Sequence, residues 1–384
     1  MSEIHVMFLA GEASGDAHAA EVAAQLKLAQ PDIRISGMGG QEMKNAGVEV
    51  FFDSSIIAVT GLIEVLRHWG DIKQAMNIVK RALDETRPDL LVLVDYPEFN
   101  LKMARHAREL GIKVLFYISL QVWAWRPKRI HKIGGLIDHM AVIFKFEQQY
   151  YEDAGIPVSF VGHPLVDKVK TDIDTLDIRA QMGIPAAAKV VGLFPGSRHN
   201  EITRLLPLMF ATARQMQAQD PALKFLLPVA TNQHLDDISR QCDDSGIDIT
   251  VSQGGIYNVI SCCDVIATCS GTVTLEIALL NVPMCILYKI SWFSYSIMSR
   301  LVTIPYIGLA NIVAGKAVVR EFLQEDARPD TVSRELFELM ENSAYREQVK
   351  TGLSRVRENL GAGNGAHNMA QLVLSLLTKQ LPGI

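Results

Sequence analysis

Several common signatures are missing from this sequence, and each absence narrows what the chain can be. Cysteine is scarce: Cys242, Cys262, Cys263, Cys269 and Cys285 are the only five, and no two make a C-x-x-C pair. An odd number without that spacing argues against a disulfide framework or a thiolate zinc site; it fits a reducing compartment, with the thiols as small buried hydrophobes. Excess basic charge is missing too. Asp and Glu number 42 against 37 Lys and Arg, a net charge of −5, so a nucleic-acid partner is not expected and any anion site must be local. The start, Met1-Ser2-Glu3, lacks the basic region and long apolar core of a secretory signal, which points to synthesis ending in the cytoplasm. Long apolar runs are absent as well. The greasiest stretch, residues 285–309, is cut by Lys289 and Arg300, leaving ten residues between charges where a spanning helix needs about 20. Neither G-x-G-x-x-G nor G-x-x-x-x-G-K-[ST] occurs, which removes the usual grounds for NAD, FAD or Mg-ATP. There is no short internal repeat and no low-complexity tract.

What the chain does have is length and apolar pattern. Its 384 residues are 49% hydrophobic and 21% charged, enough for two domains at about 150 residues each and hence for a cleft. Short runs rich in Val, Ile, Leu and Phe alternate with longer stretches of helical period, as in parallel strands joined by crossover helices. The runs are residues 5–10, 33–37, 90–95, 113–119, 139–144 and 158–162, then 190–194, 224–229, 247–251, 264–268 and 284–288. Runs this continuous are buried on both faces, as in a doubly wound sheet. The expected fold class is therefore α/β, with two Rossmann-like parallel-sheet domains at residues 1–170 and 171–384. A linker is expected near 165–188, where the chain turns polar and reads Gly183-Ile184-Pro185. The tail, residues 331–381, is helical in pattern with no strand. A last helix packed back across the first domain would tie the halves together, and the same helices offer a surface for a homodimer.

In open parallel sheets ligands bind beyond the carboxyl ends of the strands, and four loops there carry candidate chemistry. Gly11-Glu12-Ala13-Ser14-Gly15-Asp16 follows the first strand and opens a helix. Gly11, Ser14 and Gly15 could bring backbone close to an anion at the helix start; Ser14 or Asp16 acting only as N-cap is the alternative. Asp95-Tyr96-Pro97-Glu98-Phe99-Asn100 follows the most apolar strand. A partly desolvated carboxylate there is more basic and suited to removing a hydroxyl proton, so Asp95 is the candidate catalytic base; the alternative is that it caps the next helix. Glu98 lies further out. Pro195-Gly196-Ser197-Arg198-His199-Asn200-Glu201 combines a Gly turn, a helix start and an Arg, which makes a phosphate cradle rather than a surface turn. Ser270-Gly271-Thr272-Val273-Thr274-Leu275-Glu276 offers Ser270 and Thr272 as N-caps, free amides for a diphosphate, and Glu276 for ribose hydroxyls. Two anion cradles in the second domain and a carboxylate in the first describe a nucleotide-diphosphate donor held opposite a base.

Val122-Trp123-Ala124-Trp125-Arg126-Pro127-Lys128-Arg129-Ile130-His131-Lys132 is the most unusual stretch. Two Trp beside Arg126, Lys128, Arg129 and Lys132 favour a bilayer interface or a phosphorylated substrate; a helix with cations snorkelling over packed indoles is the alternative. Residues 54–70 add Ile56, Ile57, Val59, Leu62, Ile63, Val65, Leu66 and Trp69, more apolar residues than one covered face requires. Exposed, such a patch would bind acyl chains or membrane.

Taken in order, G-E-A-S-G-D at 11–16, V-W-A-W-R at 122–126, P-G-S-R at 195–198 with Glu201, and S-G-T-x-T-L-E at 270–276 resemble one family, the lipid-A-disaccharide synthases, over nearly the whole chain. Only the tryptophan motif is distinctive alone; jointly the four are highly specific. The resemblance implies a GT-B glycosyltransferase that transfers 2,3-diacylglucosamine from UDP to 2,3-diacylglucosamine 1-phosphate (lipid X), with inversion and a β-1,6 link. It implies Asp95 as base, Gly11, Ser14, Gly15, Gly196, Ser197, Arg198, Glu201, Ser270, Gly271, Thr272 and Glu276 around UDP, and Asn311 as a further nucleotide contact. Ile57, Val59, Leu62, Trp123, Trp125, Arg126, Lys128 and Arg129 would meet acceptor or membrane. The enzyme would sit in the cytoplasm, peripheral to the inner membrane. The one D-x-D, Asp172-Ile173-Asp174, falls in the expected linker, so no metal and no cofactor are expected, with fixed dipoles and Arg198 in their place. Two departures stand out: Leu120-Gln121 where the family often has Pro-Ser, and Glu98 where it often has Asp. Other readings on this architecture are a UDP-GlcNAc 2-epimerase, the transferase acting on lipid I, and a non-catalytic lipid or nucleotide carrier.

Overall fold

Parallel pairing follows from strands that are apolar from end to end, because such strands have both faces covered by crossover helices. The computed structural model describes residues 3–57, 69–120, 123, 129–170, 175–229, 235–291 and 305–378. The chain divides into two units, Met1–Pro164 with Gly361–Ile384, and Leu165–Leu360.

In the first unit, β1 (His5–Ala10), β2 (Arg34–Gly39), β3 (Glu49–Asp53), β4 (Leu90–Val94), β5 (Lys113–Tyr117), β6 (His139–Val142) and β7 (Val158–Phe160) form one parallel sheet. Its order is β3-β2-β1-β4-β5-β6-β7. Every residue of β1 and β4 is buried, and Ala10 lies opposite Val94. The order reverses between these two strands, so their carboxyl ends open the crevice where such sheets take ligands.

The second unit repeats the plan with β8 (Val190–Phe194), β9 (Lys224–Val229), β10 (Ile249–Gln253), β11 (Val265–Cys269), β12 (Met284–Tyr288) and β13 (Glu321–Leu323). These are parallel in the order β10-β9-β8-β11-β12-β13. Its switch point lies between β8 and β11, with Phe194 opposite Thr268. Both units are Rossmann-like. Two strands have no counterpart in the sequence reading, β3 and β13, and both are sheet edges. The first alternates between exposed and covered residues and the second has three residues, so neither shows a continuous apolar run.

The unit boundary falls between Pro164 and Leu165, ahead of residue 170. The helices Pro329–Glu341 and Ser343–Leu360 belong to the second unit, where Asn359 Nδ2 donates to the Val313 carbonyl at 2.9 Å. The helix Gly365–Thr378 belongs to the first unit and packs on the helix Ala13–Ala29. Ala19, Ala20 and Ala23 are buried on the latter, and such small side chains let two helix backbones approach closely. Asn368 Nδ2 adds a 2.9 Å bond to the Val161 carbonyl. On the helix Gly365–Thr378, Met369, Ala370, Val373 and Leu377 are buried.

Candidate functional site

The second unit's switch point encloses a cavity of about 480 Å³, within the range of roughly 300–1,000 Å³ that holds small ligands. Gly196, Ser197, Arg198 and Glu201 line it from the β8 turn, Ser270, Gly271, Thr272 and Glu276 from the β11 turn, and Gly254, Gly255 and Ile256 from the β10 turn. Gly196 has φ +108°, and a Cβ there would lie 2.4 Å from Glu201 Oε2; only glycine turns the chain here. Arg198 is 81% exposed and Nη1 lies 3.0 Å from Glu201 Oε1, an ion pair loose enough to reorganise around an incoming phosphate. Glu276 is half-buried; burial raises its carboxyl above the ordinary range, opposed by a hydrogen bond from the Tyr257 hydroxyl. Of the cap residues, Thr272 opens the helix Val273–Leu279 but makes no side-chain cap. Ser270 Oγ instead donates to the Ile307 carbonyl at 3.0 Å.

The Asn311 side chain is engaged within the protein. The resemblance makes it a nucleotide contact, yet its side chain has no exposure. Its Nδ2 donates to the Val319 carbonyl and to Glu321 Oε1, both at 2.8 Å, and its Oδ1 accepts from the Val318 and Val319 amides at 2.8 and 3.0 Å. Nothing of the amide group is left for a ligand.

The first unit's switch point is built differently. A Cβ on Gly11 would lie 2.2 Å from the Tyr96 ring, so this glycine permits the close approach of an aromatic side chain. Gly15 rests over Ala10 and Val94 and Ser14 is exposed; with Gly11 they belong to the first unit, whereas the phosphate-type cavity belongs to the second. Asp16 caps no turn of its own helix. Its Oδ1 accepts from the Gly40 and Met43 amides at 2.6 and 3.2 Å, and its Oδ2 from the Glu42 amide at 2.9 Å, satisfying the start of the helix Gln41–Asn45.

Asp95 follows β4 directly. It does not cap the next helix, whose N-cap is Tyr96 with no side-chain bond. Both Asp95 and Tyr96 have φ +47°, an uncommon conformation for residues with side chains. Asn100 holds the turn: its Nδ2 donates to the Asp95 carbonyl at 2.6 Å and to those of Val94 and Leu9 at 3.3 Å. Burial raises the Asp95 carboxyl above the ordinary carboxylate range, opposed by the Tyr96 amide and the charge of His18. Glu12 is raised likewise, by burial and then by the Asp95 charge.

Of the aromatic-basic segment, Trp123 and residues 129–132 are described. Trp123 is 5% exposed and its Nε1 donates to Glu147 Oε1 at 3.0 Å, so this indole is a packed residue with a satisfied N–H. Burial pushes Glu147 up to about 8, opposed by bonds from Trp123, the Phe144 amide and Ser119. Ile57 has no exposure and belongs to the first unit's core. Ile56 and Trp69 are each 51% exposed, with Lys102 Nζ 5.4 Å from the Trp69 ring. Arg129 pairs with Glu98, the residue that departs from the family pattern, and Leu120 is half-buried. Val59, Leu62, Gln121, Trp125, Arg126, Lys128 and the Asp172-Ile173-Asp174 triplet lie outside the described residues. Among the described residues no helix is long and apolar enough to cross a membrane.

A model of the family described as lipid-A-disaccharide synthetase matches residues 6–373. The chain belongs to this family. The lipid-A-disaccharide synthase of Geobacter sulfurreducens is 46% identical over 376 residues, 98% of each chain, and that of Geobacter metallireducens is 44% identical over 375 residues, again 98% of each. Among solved structures, the UDP-GlcNAc 2-epimerase of Neisseria meningitidis superposes with TM-score 0.63 at 13% identity, covering 98% of this chain and 100% of that one. At that identity the likeness is one of fold. Epimerases share the architecture, and sequence alone separates the lipid-A-disaccharide synthase family from them.

For this family member the sequence reading overlooks three features. Gly254 and Gly255, with φ +73° and +58°, form one wall of the cavity; a Gly-Gly pair straight after a strand is the signal that finds them. Tyr257 carries no such signal, because its partner Glu276 comes from another helix. Glu147 looks like a surface helix residue until Trp123 is seen to bond it.

Proposed function

We propose that this chain transfers 2,3-diacylglucosamine from its UDP derivative to the 6-hydroxyl of 2,3-diacylglucosamine 1-phosphate (lipid X), forming the β-1,6-linked lipid A disaccharide 1-phosphate and UDP. The observation that carries this reading is the meeting of the family's two anion motifs, with Glu276, around one cavity at the second switch point. UDP sits there, its diphosphate on the Gly196–Arg198 and Ser270–Thr272 backbone and the Arg198 guanidinium, its ribose hydroxyls toward Glu276. Asp95 takes the proton of the acceptor hydroxyl while the oxygen attacks the anomeric carbon opposite UDP. The new C–O bond forms as the bond to the diphosphate breaks, and the configuration inverts. Fixed dipoles and Arg198 stabilise the charge on the leaving group, with no resident metal or cofactor required. The exposed Ile56 and Trp69 support a peripheral position on the cytoplasmic side of the inner membrane, where both acylated sugars would be met.

The test is to incubate the full chain with both sugars in EDTA and to identify the product by mass and NMR. A β-linked disaccharide phosphate with free UDP is expected. An epimerised nucleotide sugar, binding without turnover, or a product formed only when a polyprenyl-diphosphate-linked sugar is supplied as acceptor would each replace this reading, and activity restored only by magnesium would overturn metal independence.

A further inference from the structure

Glu321 opens β13, the edge strand of the second unit, opposite Ile286. Its two carboxylate oxygens accept three N–H bonds: Oε2 from the Ile307 amide at 2.9 Å, and Oε1 from the Gly308 amide at 3.0 Å and Asn311 Nδ2 at 2.8 Å. Asn311, buried and with its amide group fully engaged, fixes the direction of that carboxylate. On its other side Gly308 packs on Ile286, where a Cβ would lie 2.2 Å from Cδ1. The carbonyl of the clamped Ile307 receives the Ser270 hydroxyl at 3.0 Å, and Ser270 is part of the cavity wall with Gly271 and Thr272. A continuous chain of polar bonds therefore runs from the sheet edge to the cavity.

We propose that Glu321 is a positioning residue for donor binding, which through Ile307 holds Ser270 and the following two residues where they can take the diphosphate. This rests on the nucleotide reading of the cavity. It also gives Asn311 a role without ligand contact. A carboxylate suits the position because all three partners are donors; glutamine, nearly the same shape, would turn an NH2 toward an N–H and lose a bond.

The experiment measures UDP binding to the full chain by calorimetry, together with KM and kcat for the UDP-sugar. Glu321→Gln should weaken UDP and raise KM about tenfold, with kcat changed far less. Ser270→Ala should weaken UDP about threefold, and the double variant should be no weaker than Glu321→Gln alone, because both act through Ile307. Additive losses would mean that Glu321 is a structural staple only, and unchanged UDP affinity in Glu321→Gln would overturn the proposal. If Glu321→Gln does not fold, Glu321→Asp keeps the charge but draws the carboxylate back by one methylene from the Ile307 and Gly308 amides; a folded Glu321→Asp that binds UDP as well as the parent would overturn the proposal equally. Failure of the parent chain to bind UDP would bring down the nucleotide reading itself.

Discussion

The two switch points solve the same geometrical problem with opposite residues. In the second unit the chain turns at positive φ on glycines, Gly196, Gly254 and Gly255, at no steric cost, and leaves backbone amides as the contact surface. In the first unit the turn after β4 puts Asp95 and Tyr96 at φ +47°, where each side chain costs on the order of 1–3 kcal/mol. Asn100, donating to three carbonyls, and the Tyr96 hydroxyl, donating to the Ile57 carbonyl at 3.1 Å, hold that strain in place. The contrast matches the two roles proposed for these sites. On the proposed reading a diphosphate is held largely by main chain with Arg198 beside it, whereas a proton acceptor has to be a side chain, and the turn after β4 keeps one at a φ where glycine would be more comfortable.

The sharpest way to test that division is Asp95→Asn, which keeps size and turn but removes the base. Turnover should fall by about 10²–10⁴, the usual weight of a general base, while calorimetry finds UDP affinity unchanged. A variant that loses both would place Asp95 in the wrong role. In the parent chain activity should rise with pH as Asp95 gives up its proton. Because burial raises this carboxyl, the acid limb of the kcat/KM profile should lie above the ordinary aspartate value of about 3.9; a limb at or below that value would contradict the desolvated base.

Gly196→Ala probes the other side of the comparison. The added methyl would fall 2.4 Å from Glu201 Oε2 at a φ of +108°, so the turn must shift and the Arg198–Glu201 pair with it. UDP affinity should drop about tenfold or more, with a smaller effect on kcat at saturating donor. The opposite split, kcat lost and UDP affinity kept, would mean that this glycine does not shape the nucleotide site.

How much of this could be read in advance depended on whether a residue's partner was local. Strands buried on both faces, such as β4 and β8, announce themselves as apolar runs, and the rule that ligands lie beyond strand ends led from them to Asp95 and Arg198. The edge strands β3 and β13 failed because an exposed edge needs no continuous apolar run. Asp16 looked like a cap for its own helix, whereas the amides it satisfies lie 24 to 27 residues further on. For Trp123 the sequence leaves a bilayer interface, a phosphorylated substrate and a packed indole open, because Glu147, the group that satisfies its N–H, lies 24 residues away. Asn311 has the same character: its partners Val318, Val319 and Glu321 lie 7 to 10 residues further on, and motif position alone does not name them.

The smallest effect expected runs in the stabilising direction. Asp95→Gly removes a side chain from a backbone conformation that only glycine adopts without cost, and should raise unfolding stability by about 1 kcal/mol while abolishing turnover. A second contribution depends on pH, and its sign can be worked out. The Asp95 carboxyl is raised in the folded chain, so the stability linked to it is fully present below its unfolded value and is lost as pH rises through the folded one. The advantage of Asp95→Gly over the parent in denaturant melts should therefore widen as pH climbs above the ordinary aspartate range, and then level off. An advantage that stayed constant would leave backbone relief as its only source. A variant less stable than its parent at every pH would mean that the turn after β4 needs the aspartate for its shape, and the contrast between a glycine-built cradle and a side chain held under strain would no longer stand.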